Sequence, residues 1–170
     1  MTDLYINAQS AAAHIRILTQ LTPRLGIILG SGLGNFAAQV ENPTTIPYAE
    51  IPHFPQSTVE GHSGKLILGH IAGVPVAVMQ GRVHAYEGYP LSEVTFPTRV
   101  LGLLGSKSLI VTNAAGAINT AFNLGVLGVS AVHRKLTGLN AALGPNEPKF
   151  GPRFFDMTAA YSPQLRALAQ

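Results

Sequence analysis

Short apolar runs bounded by glycine and proline recur along the chain, and between them lie longer stretches with mixed polar positions. Leu25–Leu29 is such a run and predicts a strand, with the turn Gly30, Ser31, Gly32, Leu33, Gly34 following at once. Lys65–His70 and Val74–Gln80 predict two more strands, joined through Ile71, Ala72 and Gly73 as a hairpin. Ser108–Thr112 predicts a fourth, leading into Asn113, Ala114, Ala115 and Gly116. The Ala-rich stretch 8–21 predicts a first helix capped by Ser10 and ended by Pro23. Residues 35–40 predict a short helix. Residues 90–105 predict a longer one, with Leu91, Val94, Val100, Leu101 and Leu104 able to share a face and Pro97 marking a kink or a late start. Ser162 and Pro163 read as the cap and first turn of a last helix.

Residues 42–64 hold four prolines and two glycines and read as loop or edge structure. Strands alternating with helices predict an α/β fold: a mixed, twisted β-sheet flanked by helices, in a single domain over residues 1–170. The last helix runs to Gln170 with neither capping glycine nor tail, so the expectation is a fold truncated at the C-terminus.

Composition narrows the classes. Hydrophobic residues at 46% and charged residues at 11% describe a globular chain with a sizeable core. No apolar run approaches the ~20 residues of a membrane span, and Asp3 with polar neighbours makes the N-terminus a poor signal peptide. The absence of cysteine excludes disulfides and thiolate metal sites and fits a cytoplasmic location. The net charge of +3 comes from scattered basic residues without tryptophan or an aromatic platform. Nucleic acid is therefore not the expected partner, and the charge leaves room for a small anionic substrate.

The stretch GRVHAYEGYP, residues 81–90, follows the apolar run 74–80 directly. A strand continuing through Arg82 and His84 would send both side chains from one face and aim two cations at one point. Arg82 could instead pair with Glu87 or Glu93, and His84 could be a satisfied core histidine. The glycine turn at 30–34 lets main-chain amides approach an anion, with the Ser31 hydroxyl beside them, or is simply a tight turn. His62, between glycines in a loop, has a surface reading and a functional one. Asn113 and its small neighbours at a strand end either meet a ligand or form a turn. No second ligand at metal spacing accompanies His84, so no metal is expected.

Six blocks then occur in one order: GSGLG at 30–34, FPQSTVEGHSGKL at 54–66, MQGRVHAYEGYP at 79–90, VTFPTRV at 94–100, VTNAAGAIN at 111–119 and GPNEPKFGPRFFDM at 144–157. Together they closely resemble the trimeric purine nucleoside phosphorylases of the nucleoside phosphorylase family, and residues 84–90 favour that branch over the methylthioadenosine phosphorylases. The resemblance implies phosphorolysis of purine (deoxy)ribonucleosides to free base and pentose 1-phosphate, with inorganic phosphate as co-substrate and no other cofactor. It implies Ser31, His62, Arg82, His84 and the backbone of Ala114 as phosphate ligands. Tyr86 would lie at the ribose, and Phe154 would reach a neighbouring subunit's sugar in a homotrimer. His84, Glu87 and Asn113 would be the catalytic group, Glu87 orienting polar neighbours.

Two departures from the family pattern stand out. Where the family carries acids and an apolar-Asn pair, this chain has Val126, Val132, Arg134 and Lys135, and His133 alone is retained. Val129 and its neighbours still predict a strand. Family members also run on past residue 170, and that further part supplies the groups that read the base. The alternatives to catalysis are an inactive chain that binds phosphate weakly and an interaction module.

Overall fold

The computed structural model describes residues 4–57 and 63–170, which form two compact units divided after Ala114. The first unit holds one five-stranded sheet. Its strands are β1 (Leu25–Ile28), β2 (Glu41–Pro47), β3 (Lys65–Ile71), β4 (Val74–Gln80) and β5 (Ser108–Val111), in the order β2-β3-β4-β1-β5. β1 runs parallel to β4 and β5, whereas β3 is antiparallel to both β2 and β4, so the sheet is mixed as expected. β3 and β4 each bury four successive residues, which strands covered on both faces do.

One face carries Leu25, Ile27, Leu29, Ile67, Val76 and Val78 against Ala37 and Val40, from a 3₁₀ turn over Gly34–Gln39 and its end. The opposite face meets the helix α3 (Phe96–Leu104). A Cβ on Gly26 would stand only 3.2 Å from the Leu101 side chain, so glycine at 26 lets helix and strand close up. The helix α1 (Leu4–Leu18) packs on α3 through Ala8, Ala11, Ala12 and Ile15, spaced to one helical stripe. α1 therefore starts well before residue 8, and Ser10 lies inside it, exposed, instead of capping it. The alanine run after Ser10 imitated a first turn, but burial of Ala8 extends the helix backward.

The expected helix over 90–105 is two: α2 (Leu91–Val94) and α3, separated at Thr95, with Pro97 in the first turn of α3. A late start satisfies proline because the first-turn amides have no intrahelical acceptor. Within the proline-rich stretch, β2 pairs as a sheet edge, with a register shift between Glu41 and Thr44 around Pro43. Edge strands accept proline because one row of amides faces outward. The hairpin between β3 and β4 turns on two residues, Ala72 (φ 49) and Gly73 (φ 74), both left-handed. That pair of signs matches the right-handed twist of the flanking strands.

The second unit, residues 115–170, is built from turns, a 3₁₀ turn at Pro148–Phe150 and the helix α4 (Pro163–Leu168). Ser162 caps α4, its Oγ accepting from the Leu165 amide at 3.3 Å, with Pro163 next as expected. Asn119, Asn140 and Asp156 each accept the amide two residues on and so close local turns. The strand expected around Val129 is not formed: no strand occurs among residues 115–170. Val126, Val129 and Val132 are exposed, so no sheet face holds that apolar pattern in extended pairing. His133 is hydrogen-bonded to the Tyr161 hydroxyl within this unit.

Candidate active site

β4 ends at Gln80, and Gly81 at φ 103 turns the chain out of the sheet. The strand does not continue through Arg82 and His84, so their meeting has another cause. Val83 is buried between them, Ala85–Glu87 forms a 3₁₀ turn, and Gly88 ends it in the left-handed region. This folding brings the Nε of Arg82 to 3.3 Å from the Nε2 of His84, to which it donates. The Nη1 of Arg82 donates to the carbonyl of Thr112 at 2.7 Å.

The protonation of His84 follows from its neighbours. An arginine Nε can only donate, so Nε2 of His84 accepts and carries no hydrogen. The imidazole proton then sits on Nδ1 and is donated to Oε1 of Glu87 at 2.8 Å. The same oxygen accepts the His84 amide at 2.7 Å, and the Glu87 side chain is only 3% exposed. Glu87 thus holds the His84 backbone and receives the Nδ1 proton, while Arg82 keeps Nε2 an acceptor. Tyr86 stacks on the His84 ring at 4.6 Å and 14°, its own ring largely open to solvent.

The glycine turn arrives beside this group from β1. A Cβ at Gly30 would lie 2.7 Å from the Thr112 carbonyl oxygen and 2.8 Å from Asn113 Cα, so only glycine permits the approach. Ser31 is the next residue and is exposed, as are Asn113 and Ala114. The segments bearing Ser31, Arg82 and Asn113–Ala114 therefore converge at the ends of three neighbouring strands, β1, β4 and β5. In parallel arrays such strand ends form the crevice where ligands sit.

His62 lies outside the described residues. Both flanks of its loop are held: Tyr89 donates from its hydroxyl to the Gln56 carbonyl at 2.8 Å, and the Tyr48 amide donates to the Gly64 carbonyl at 2.8 Å. Phe154 belongs to the second unit and is almost wholly exposed. Among the described residues no cluster of three metal-ligating side chains occurs, and no helix is long and apolar enough to cross a membrane.

Three further residues hold this geometry, none of them among the expected site residues. Tyr48 is buried and donates from its hydroxyl to the Gly81 carbonyl at 2.8 Å, and burial pushes that hydroxyl far above the ordinary tyrosine range. Gln80 donates from its side-chain amide to the Gly34 carbonyl at 2.9 Å. Thr112 receives Arg82. A hydroxyl residue at the last position of an apolar strand was the one available signal for Thr112.

Residues 24–170 match the Phosphorylase superfamily. The chain belongs to that superfamily. It is 51% identical over 162 residues to purine nucleoside phosphorylase 1 of Bacillus subtilis, covering 95% of this chain and 60% of that protein. Purine nucleoside phosphorylase of Rattus norvegicus is 45% identical over 168 residues, covering 97% of this chain and 58% of the relative. Among solved structures, isoform 2 of the Schistosoma mansoni purine nucleoside phosphorylase, in complex with cytosine and ribose-1-phosphate, superposes with a TM-score of 0.91 at 43% identity, covering 97% of this chain and 59% of that one. This superfamily member thus spans about 60% of the length of the first curated relatives it matches.

Proposed function

We propose that this chain carries the phosphate-and-pentose part of a purine nucleoside phosphorylase, whose reaction splits a purine (deoxy)ribonucleoside with phosphate into free base and pentose 1-phosphate in purine salvage. The observation that supports it most is the joining of Arg82, His84 and Glu87 to Thr112 beside the glycine turn. Arg82 offers a planar fork of donors suited to phosphate. Ser31, His62 and the Ala114 amide complete the anion's shell, and Tyr86 lies toward the ribose. Asn113 stands at the floor of the site, and Phe154 serves a neighbouring subunit in a homotrimer. The span 1–170 acts as one phosphorylase domain, since the superfamily match crosses both units. The location is cytoplasmic.

A phosphate dianion fixed near C1′ stabilises the oxocarbenium-like charge that develops as the glycosidic bond breaks. Its oxygen then bonds to C1′, and the bonding pair leaves on the purine, which takes up a proton. Orientation replaces an encounter in solution, so the position of Arg82 matters as much as its charge. No cofactor beyond the phosphate co-substrate enters this scheme.

Inosine with inorganic phosphate, followed by hypoxanthine release, tests the activity, with Arg82→Ala as control. Release that depends on phosphate and on Arg82 supports the reading. Background release at high protein concentration, together with no phosphate-dependent stabilisation, overturns it.

A further inference from the structure

The three segments of the candidate anion site meet at Thr112, a residue that none of the expectations assigns a role. Its hydroxyl accepts from the Gly30 amide at 2.9 Å and donates to the Ile28 carbonyl at 3.1 Å. Its own amide donates to the same carbonyl at 3.0 Å, and its carbonyl receives Nη1 of Arg82 at 2.7 Å. The β1–β5 ladder ends at the pair Ile28–Val111. Beyond that pair the strands turn into separate loops, and the Thr112 hydroxyl links them across the gap.

We propose that Thr112 is a positioning residue for the anion site, its hydroxyl clamping the first amide of the glycine turn to the end of β5 and so fixing the carbonyl that aims the Arg82 guanidinium. The assignment rests on the phosphate reading above. Its logic is one of registry. The carbonyl that receives Arg82 belongs to the same residue whose hydroxyl holds Gly30, so the turn bearing Ser31 and the guanidinium cannot shift independently. Valine in place of threonine keeps the branched shape and the carbonyl but leaves the Gly30 amide without this acceptor. Arg82 then retains its partner while the partner loses its fixed place. Serine keeps the hydroxyl and restores the clamp.

The test is a titration of inorganic phosphate against the unsubstituted chain, Thr112→Val, Thr112→Ser and Arg82→Ala, read by thermal unfolding. The phosphate-free melting temperature reports the structural cost, and the increment with phosphate reports affinity. Thr112→Val is expected to bind phosphate about tenfold more weakly, the worth of roughly one hydrogen bond in the site. Thr112→Ser is expected to stay within about twofold, because the hydroxyl and its two bonds remain. An unchanged affinity in Thr112→Val, with Arg82→Ala abolishing binding, overturns the role of Thr112 and leaves the phosphate reading standing. Absence of any phosphate effect in the unsubstituted chain, or its persistence in Arg82→Ala, overturns the phosphate reading and this assignment with it. Should Thr112→Val not fold, hydrogen exchange decides: saturating phosphate is expected to slow exchange of the Gly30 amide, and an unaltered rate overturns the clamp.

Discussion

Tyr48 and Gly81, thirty-three positions apart, are joined by a hydrogen bond of 2.8 Å from the buried phenol to the carbonyl just before Arg82. The same tyrosine holds the Gly64 carbonyl through its amide, two residues from His62. One residue at the sheet's far edge thus braces two separate arms of the candidate site, one through its side chain and one through its main chain. Tyr48→Phe keeps the ring's packing on Phe54 and deletes only the oxygen. It is expected to cost about 1–2 kcal/mol, since the Gly81 carbonyl loses its partner away from water. Urea unfolding measures that loss.

Alkaline titration gives Tyr48 a second signature. Burial raises its hydroxyl pKa in the fold, whereas the unfolded chain ionises near the ordinary value of 10.0. Above that value the unfolded state binds fewer protons, so stability conferred below about pH 10 falls away as pH rises. Tyr48→Phe should flatten this decline. A steepness equal to that of the unsubstituted protein between pH 9 and 11 would refute the assignment to Tyr48 (both limits being roughly one unit around the ordinary tyrosine value).

Arg82→Lys keeps the charge and loses the fork. A lysine cannot contact the His84 ring and the Thr112 carbonyl with two separate nitrogens, so the expected result is phosphate affinity reduced by about tenfold or more. Calorimetric titration with inorganic phosphate measures it. Equal affinity would show that charge alone suffices.

Glu87→Ala removes the acceptor of the His84 Nδ1 proton, while Arg82 still donates to Nε2. The expected outcome is a retained Nδ1–H tautomer in which the Nδ1 resonance shifts more than that of Nε2 in ¹⁵N spectra. A mixture of the two tautomers would assign tautomer control to Glu87 instead of Arg82.

Gly30→Ala forces a methyl to within 3 Å of main-chain atoms of Thr112 and Asn113. Those atoms are backbone and cannot swing aside, so a loss of about 1–3 kcal/mol is expected, with phosphate-dependent stabilisation gone as well. Ala72→Gly works in the opposite direction. Ala72 sits at φ 49 in the hairpin turn, and glycine there relieves roughly 1 kcal/mol of left-handed strain. Thermal unfolding should show a higher midpoint.

The apolar runs 65–70 and 74–80 were enough to place the central strands, because strands covered on both faces need continuous apolar sequence. Glycine and proline located the hairpin, the split between α2 and α3, and the start of α4 equally well. Ser10 misled, because a capping residue and a solvent-facing helical serine have the same local sequence. Residues 126–132 misled differently: β-branched valines at 126, 129 and 132 suit a strand, but a strand needs a neighbour to pair with, and no strand occurs among residues 115–170. For the site, Arg82, His84 and Glu87 were legible as a group, although the reason was not strand alternation but the turn that Gly81 and Gly88 make possible. Tyr48 and Thr112 were hidden because their roles run through main-chain atoms of distant residues, and no spacing in the sequence encodes that.

The side chains of Tyr48, Gln80 and Arg82 each donate to a main-chain carbonyl, those of Gly81, Gly34 and Thr112. A carbonyl survives any substitution of the residue that bears it, provided the backbone path is kept. Position 34 is therefore free to change at little cost, whereas 81 is held to glycine by its φ of 103 and 112 by the hydroxyl that clamps Gly30. Comparing substitution tolerance at 34 with that at 48, 82 and 112 would separate a scaffold written in backbone from one written in side chains.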